Sequence, residues 1–243
     1  MGISRRELCI ALPTVNELNN LKVLVPELQL LFKGVHILVI DDASSDGTQE
    51  YLSNLMITDP RIDNICRPTR LGVGSAHLLA ISYVIQKNFE YLITMDADLT
   101  HSPSDAFRLY QQIQDHDLVI GSRFLNEGGV LNWSKFRLFL TNVGHLFTKI
   151  FFLSNLDMSS GLRGYKVNKI PSKSLLLNSS MHYDFFFISS LIYLRLGKNI
   201  GQISVQLQNR ASGKSKMSLN LMLRGVFKLF LYGFRIRKIK FKD

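Results

Sequence analysis

A chain of 243 residues, 46% of them hydrophobic, is long enough to bury a core in one embellished domain without covalent or metal staples. Its two cysteines, Cys9 and Cys66, each sit in a strand-like apolar run, read as buried inert thiols, and make neither a disulfide framework nor a zinc site, which fits a reducing compartment. The net charge of +10 is unevenly spread, since residues 210–243 hold ten Lys and Arg against one acid, Asp243, while the rest is nearly balanced.

The opening "MGISRRELCIALPT" has basic residues but no long apolar core, so it does not read as a signal peptide. No uncharged apolar run reaches the ~18 residues needed to span a bilayer. In chain order, "ELCIAL" predicts a buried strand that ends at Pro13. Leu18, Leu21, Leu24, Val25, Leu28 and Leu31 then follow helical spacing. "VHILVI" is a second strand, ending at Asp41 and Asp42, and "SSDGTQEYLSNL" opens a helix with capping residues. "IDNICR" is a short strand, and Ser75 to Gln86 a helix after "RLGVG". "FEYLITM" is a strand that runs into Asp96. The helix after it has Ser102 as N-cap and Pro103 at its first position. "DLVIGS" is a further strand.

This alternation predicts an α/β fold with a mostly parallel sheet covered on both faces. In such sheets ligands sit beyond the carboxyl ends of the strands. The polar segments fall there: Pro13 to Glu17, Asp41 to Asp46, Asp96 to His101, and Gly121 to Arg123.

Beyond residue 130 the pattern changes. "NWSKFRLFLTNVGHLFTKIFFL" predicts a helix over about 132–153 with an apolar stripe at Phe136, Phe139, Leu140, Val143, Phe147, Ile150 and Phe151. It suits a core helix or one half sunk among lipid headgroups. The end of the chain interleaves Leu219, Leu221, Met222, Val226, Phe227, Leu229, Phe230 and Phe234 with basic residues. That composition predicts a basic amphipathic helix on an anionic membrane surface, not a nucleic-acid arm.

Asp96 and Asp98 repel each other unless they cap the next helix or share a cation. Mg²⁺ or Mn²⁺ prefers such oxygens and leaves positions for phosphate. Asp42 at the end of the second strand could accept hydrogen bonds from a base or ribose, and Ser45 or Asp46 could instead cap the following helix. His101, His145 and His182 are single histidines that read as solvated or packed.

Together "PTVNE", "VIDDASSDGT", "RLGVGSA", "MDADLTHSP", "GSRF", "SSGLRGYK" and "RASGKSK" resemble glycosyltransferase family 2, and within it the dolichyl- or polyprenyl-phosphate mannosyltransferase branch, over residues 7 to 217. The resemblance implies a GT-A (Rossmann-like) catalytic domain over 1–209, followed by a basic phosphate-closing loop and an amphipathic helix over 210–243. It implies a nucleotide-sugar donor, GDP-mannose favoured over a UDP-hexose, with Mg²⁺ or Mn²⁺ as cofactor. Pro13, Val15, Glu17, Asp42, Asp46, Arg70, Gly74 and Ala97 would line the donor site. Asp96 and Asp98 would hold metal and diphosphate, with Thr100 as a third metal contact. Arg123 would face the donor–acceptor junction, Arg137 the lipid phosphate, and Arg210 and Lys216 would close over the phosphates. The chain departs from the family pattern at Thr100, where relatives often carry Gln or Ser, and at Ile188, near the place of a common acid.

A lipid phosphate needs no strong general base, because its second pKa is about 6. A one-step displacement would invert the anomeric centre. The expected setting is the cytoplasmic face of a membrane, held peripherally, with no nucleic acid and with an integral membrane protein as a further partner. Two alternatives remain: a family 2 enzyme with another acceptor and a UDP-sugar, and a non-catalytic module that binds nucleotide and membrane.

Overall fold

The computed structural model describes residues 4, 6–131, 133, 135–178 and 181–208, with the side chains of Arg137 and Asn178 outside the description. The expected basic C-terminal helix, Arg210 and Lys216 therefore lie outside the described residues, as does the expected second segment beyond 209.

The first half alternates as the sequence predicts. Strands β1 (Leu8–Thr14), β2 (His36–Asp42), β3 (Ile62–Arg67), β4 (Tyr91–Thr94) and β5 (Leu118–Ser122) are separated by helices α1 (Leu18–Leu31), α2 (Thr48–Thr58), α3 (Val73–Gln86) and α4 (Pro103–Ile113). The second half adds β6 (Gly129–Val130), α5 (Lys135–Phe152), β7 (Arg163–Lys166), α6 (Ser172–Asn178), α7 (Asp184–Arg195), β8 (Ile200–Ser204) and β9 (Gln206–Leu207). Helix α4 starts with a reciprocal capping box between Ser102 and Asp105, with Pro103 in its first turn.

Seven strands form one sheet in the order β3-β2-β1-β4-β7-β5-β8. All pairs are parallel except those of β7, which runs antiparallel between β4 and β5. The first residue of β7, Arg163, stands beside Thr94 on one side and Ile120 on the other. The N-terminal end of β7 thus shares a rim with the C-terminal ends of its parallel neighbours. This insertion is absent from the sequence reading, because "RGYK" is too short and too charged to show a strand period.

Two apolar layers flank the sheet. One joins Leu21, Leu24 and Leu28 of α1 to Leu109 and Ile113 of α4; the other joins Ala80 and Val84 of α3 to Phe185 and Ile192 of α7. Cys9 is buried as expected. Cys66 is exposed, contrary to expectation, because β3 is an edge strand with one open face. Helix α5 does not behave as a core helix: Phe136, Phe139, Leu146 and Ile150 are all more than half exposed, and Thr148 is its only buried residue among those described.

The second layer holds a buried His77. Its ring centroid lies 5.4 Å from that of Phe185 and 4.7 Å from that of Phe186, and neither ring nitrogen has a hydrogen-bond partner among the described residues. Burial, aided by the nearby charge of Arg163, pushes its pKa down to about 3. Below about pH 6.5 the unfolded chain takes up a proton at this site that the folded chain refuses. The unfolded state then binds more protons, so stability rises with pH in this window and is lost as pH falls. One such site should remove about 1.5 kcal/mol between pH 6.5 and pH 5. Urea midpoints of the native chain and of His77→Leu at both pH values test this, and the variant should show the shallower dependence.

Candidate active site

The loops after β1 and β2 are laced together. The Asn16 backbone N–H donates to Ser44 Oγ (2.7 Å), and the Ser45 N–H donates to Asn16 Oδ1 (2.8 Å). The Leu18 N–H donates to Asp46 Oδ2 (3.0 Å), while Asp46 Oδ1 accepts from the Thr48 N–H and hydroxyl (3.2 and 2.6 Å). Asp46 therefore spends both oxygens on two helix starts. Desolvation pushes its carboxyl up, but the bonds from Thr48 and Leu18 outweigh this and leave it below its ordinary value. Asp46 thus ties the first residues of α1 and α2 together. Asp41 is likewise consumed inside its own loop, accepting from Ser44 and from Gln49 Nε2.

These laced loops bring Pro13, Val15, Glu17 and Asp42 to one end of the rim. Pro13 aligns with Ile40 across the β1–β2 pair, and Glu17 is buried and accepts from Asn20 Nδ2 (2.5 Å). Asp42 forms a nearly buried ion pair with Arg67 Nε, and Arg67 Nη1 donates to Ser75 Oγ (2.5 Å). Arg70 is exposed in the β3–α3 loop, and Gly74 is buried in the first turn of α3. Between them Gly72 has φ of 90°, and a Cβ there would lie 2.4 Å from the Met181 carbonyl oxygen, so only glycine fits.

At mid-rim the two carboxylates are held differently. Asp98 is 4% exposed, and its Oδ1 accepts from the Thr100 N–H (3.1 Å) and hydroxyl (2.7 Å) across a turn made by Leu99 at φ 60°. The Thr100 proton orients Asp98. Asp96 is half-buried, its oxygens 3.4 and 3.7 Å from where a Cβ on Gly161 would stand. Ala97 turns its side chain into the core, which leaves only its backbone for the site. Among the described residues no three His, Cys, Asp or Glu gather into a metal cage. Two carboxylates with the remaining positions open suit Mg²⁺ or Mn²⁺, which take one or two carboxylates and fill the rest with water and phosphate. His101 is buried, its Nδ1 has no partner among the described residues, and burial lowers its pKa to about 4 despite the acids around it.

At the far end of the rim, Arg123 meets Asp157. Arg123 Nε and Nη2 each donate at 2.7 Å to the two oxygens of Asp157, and the Arg123 N–H donates to Oδ2 at 3.2 Å. Nη2 also reaches Ser159 Oγ (2.5 Å). The guanidinium lies over Phe124 and Trp133, at 5.5 and 5.8 Å. Desolvation pushes the fully buried Asp157 up, but Arg123 and Ser159 more than offset it and the carboxyl stays below its ordinary value. Phe124 in turn stacks on His145 of α5, centroids 3.7 Å apart, which docks α5 beside Arg123.

The family model described as Glycosyl transferase family 2 matches residues 9–170. The chain belongs to glycosyltransferase family 2. Along nearly its whole length it is 30% identical to the undecaprenyl-phosphate mannosyltransferase of Micrococcus luteus, covering 93% of both chains. It is also 30% identical to the polyprenol monophosphomannose synthase of Mycolicibacterium smegmatis, covering 94% of this chain and 87% of that one. Among solved structures, the glucosyl-3-phosphoglycerate synthase of Mycobacterium tuberculosis, in complex with Mn²⁺, UDP and glucosyl-3-phosphoglycerate, superposes with a TM-score of 0.68 at 18% identity, over 94% of this chain and 80% of that one. The fold is GT-A.

In this family 2 chain the described residues among those expected in the site lie near the C-terminal ends of β1 to β5. Arg137 stands on α5, but its side chain lies outside the description, as do Arg210 and Lys216 altogether. Sequence reasoning missed Asp157, Arg67 and Arg163. Asp157 follows Arg123 by 34 residues and carries no local motif beyond a serine two positions on. Arg163 stood inside a quoted motif, yet nothing local marks it as 0% exposed.

Proposed function

We propose that this family 2 glycosyltransferase moves a hexose, mannose favoured, from a nucleotide sugar to a polyprenyl or dolichyl phosphate at a membrane surface, with inversion. The observation that carries the reading is the rim itself. A laced nucleoside pocket, a carboxylate pair and a buttressed arginine stand in line, and the arginine end abuts a helix with outward-facing apolar residues. Two relatives of 30% identity named for polyprenyl-linked mannose support the substrate class.

In this reading Pro13, Val15, Glu17 and Asp42 hold the nucleoside, while Arg70, Gly74 and the backbone of Ala97 flank the diphosphate. Asp96 and Asp98, with Thr100 orienting the latter, would hold Mg²⁺ or Mn²⁺, which when bound supplies charge stabilisation for the departing diphosphate. Arg123, pinned by Asp157, presents a fixed positive charge toward the acceptor phosphate. A phosphate monoester is largely dianionic near neutral pH, so no side chain need remove a proton. His101, neutral and sealed, is not required as a base. Arg137 on α5 would meet the lipid phosphate. Arg210 and Lys216 would close over the phosphates, in keeping with the Gln208 N–H that donates to the Thr100 carbonyl (3.1 Å) just before them in sequence.

The deciding experiment supplies Mn²⁺, a short polyprenyl phosphate and labelled GDP-mannose, UDP-glucose or UDP-GlcNAc to the purified chain. Label should pass to the organic phase from GDP-mannose; no transfer from any donor would defeat the acceptor assignment. Among the described residues no helix is long and apolar enough to cross a membrane, so we expect peripheral contact through α5. Phe139→Glu with Ile150→Glu, at positions 61% and 60% exposed, should reduce co-sedimentation with phosphatidylglycerol vesicles several-fold without lowering Tm. Unchanged binding would remove α5 from the interface.

A further inference from the structure

Arg163 is the largest fully buried side chain among the described residues, at 0% exposure, and its partners are unusual for a cation. Nε donates to the Ser160 carbonyl (2.8 Å) and Nη1 to Ser189 Oγ (2.8 Å). Nη2 lies near the carbonyls of Met158 (3.1 Å) and Phe186 (2.7 Å) and near Ser190 Oγ (3.0 Å). The ring of Phe186 lies 5.2 Å from the guanidinium carbon. These five acceptors are carbonyl or hydroxyl oxygens; none is a carboxylate. The Tyr165 hydroxyl and, from farther off, the Asp157 carboxylate add electrostatic support, yet no acid bonds the guanidinium directly, and a tie between a loop and a helix alone would be made more cheaply by neutral groups.

What the guanidinium gathers explains its position. Residues 158 and 160 turn their carbonyls inward to Arg163, and the residues between and after them face the rim. Ser159 Oγ accepts from Arg123 Nη2 and donates to Asp157 Oδ1 (3.0 Å). Gly161 abuts the oxygens of Asp96, and its carbonyl accepts from Thr94 Oγ1 (3.1 Å). On the other side Ser189 and Ser190 of α7 each donate to the Phe186 carbonyl and accept from Arg163. Arg163 itself sits in the sheet between β4, which leads to Asp96, and β5, which leads to Arg123.

We propose that Arg163 is a positioning residue: by fixing the 157–161 loop against α7, it sets the place of Asp96 relative to Arg123 and so couples the metal side of the site to the acceptor side. The proposal rests on the roles given above to Asp96 and Arg123. It also gives "ISS" of α7 a task, as the hydroxyl cradle of that guanidinium.

The test uses Arg163→Met, Arg163→Lys and the double variant Ser189→Ala with Ser190→Ala, each in the full chain. Mn²⁺ affinity is read by electron paramagnetic resonance with GDP present, KM for acceptor and kcat are read well below each Tm, and Tm is read separately. Residues that orient metal-binding side chains typically change affinity 10–100-fold when lost. We therefore expect Arg163→Met to weaken Mn²⁺ about tenfold and to raise acceptor KM in parallel, with partial recovery of both in Arg163→Lys. The serine variant should move both in the same direction, and it decides the matter if Arg163→Met does not fold. A fall in Tm alone, with Mn²⁺ affinity and acceptor KM within about twofold of the native chain, would make Arg163 mere scaffolding; a change confined to one of the two would equally overturn the coupling. A native chain that binds Mn²⁺ but labels no lipid would refute the proposed acceptor while leaving the Mn²⁺ comparison interpretable.

Discussion

Asp98→Asn is expected to lose roughly 10²–10³-fold in kcat while staying folded. The native Oδ1 accepts from the Thr100 N–H and hydroxyl, and an amide oxygen can accept both bonds, so the turn at Leu99 survives. What disappears is one unit of negative charge beside Asp96. That charge matters only if a cation carries the leaving diphosphate. Stability should stay within about 0.5–1 kcal/mol of the native value, because no cavity opens and both Thr100 donors keep an acceptor. Transfer assays at saturating Mn²⁺, alongside thermal denaturation, separate the two effects. Activity within tenfold of the native chain would take Asp98 out of the metal site.

The second large effect is structural as well as catalytic. Asp157 is 0% exposed and accepts from Arg123 through three nitrogens, and from Ser159 through its N–H and hydroxyl. Asp157→Ala strands the guanidinium of Arg123 at low exposure without its counter-charge. Removing one partner of a buried pair typically costs about 3–5 kcal/mol. Urea denaturation should show a loss of that order, and transfer should fall with it because Arg123 no longer has a fixed direction. Adding Arg123→Met should return part of the lost stability, since the uncompensated charge is then gone, but none of the activity. If the double variant is no more stable than Asp157→Ala, the charge pairing is not what Asp157 contributes.

The first half of the fold was legible because most of its strands are bounded apolar runs and its helices carry a helical apolar period or, at α2 and α4, polar residues at their starts. Ser102 and Pro103 capped α4 as read, and the four polar segments reached one rim because parallel strands deliver their ends together. Local reading fails where the partner is remote. Asp42 was recognisable as a strand-end carboxylate, but its pairing with Arg67 depends on the register of β2 against β3. Asp46 was recognisable as a polar loop residue, but its bond to the Leu18 N–H depends on how the loops after β1 and β2 meet. Asp157 and Arg163 owe their roles to β7, whose four residues show no period. The stripe on α5 was visible, yet its period could not say that Phe136, Phe139, Leu146 and Ile150 stay exposed.

The antiparallel β7 has a consequence for how the enzyme comes into being. Until residue 166 has been made and folded, β4 and β5 present unpaired edges, because nothing else fills the gap between them. The strands that carry Pro13, Asp42, Asp96 and Arg123 at their ends all precede β7 in the chain. The Arg123–Asp157 contact and the Gly161 wall depend on a strand that enters between two made before it. A chain truncated before β7 would thus leave two sticky strand edges open to self-association.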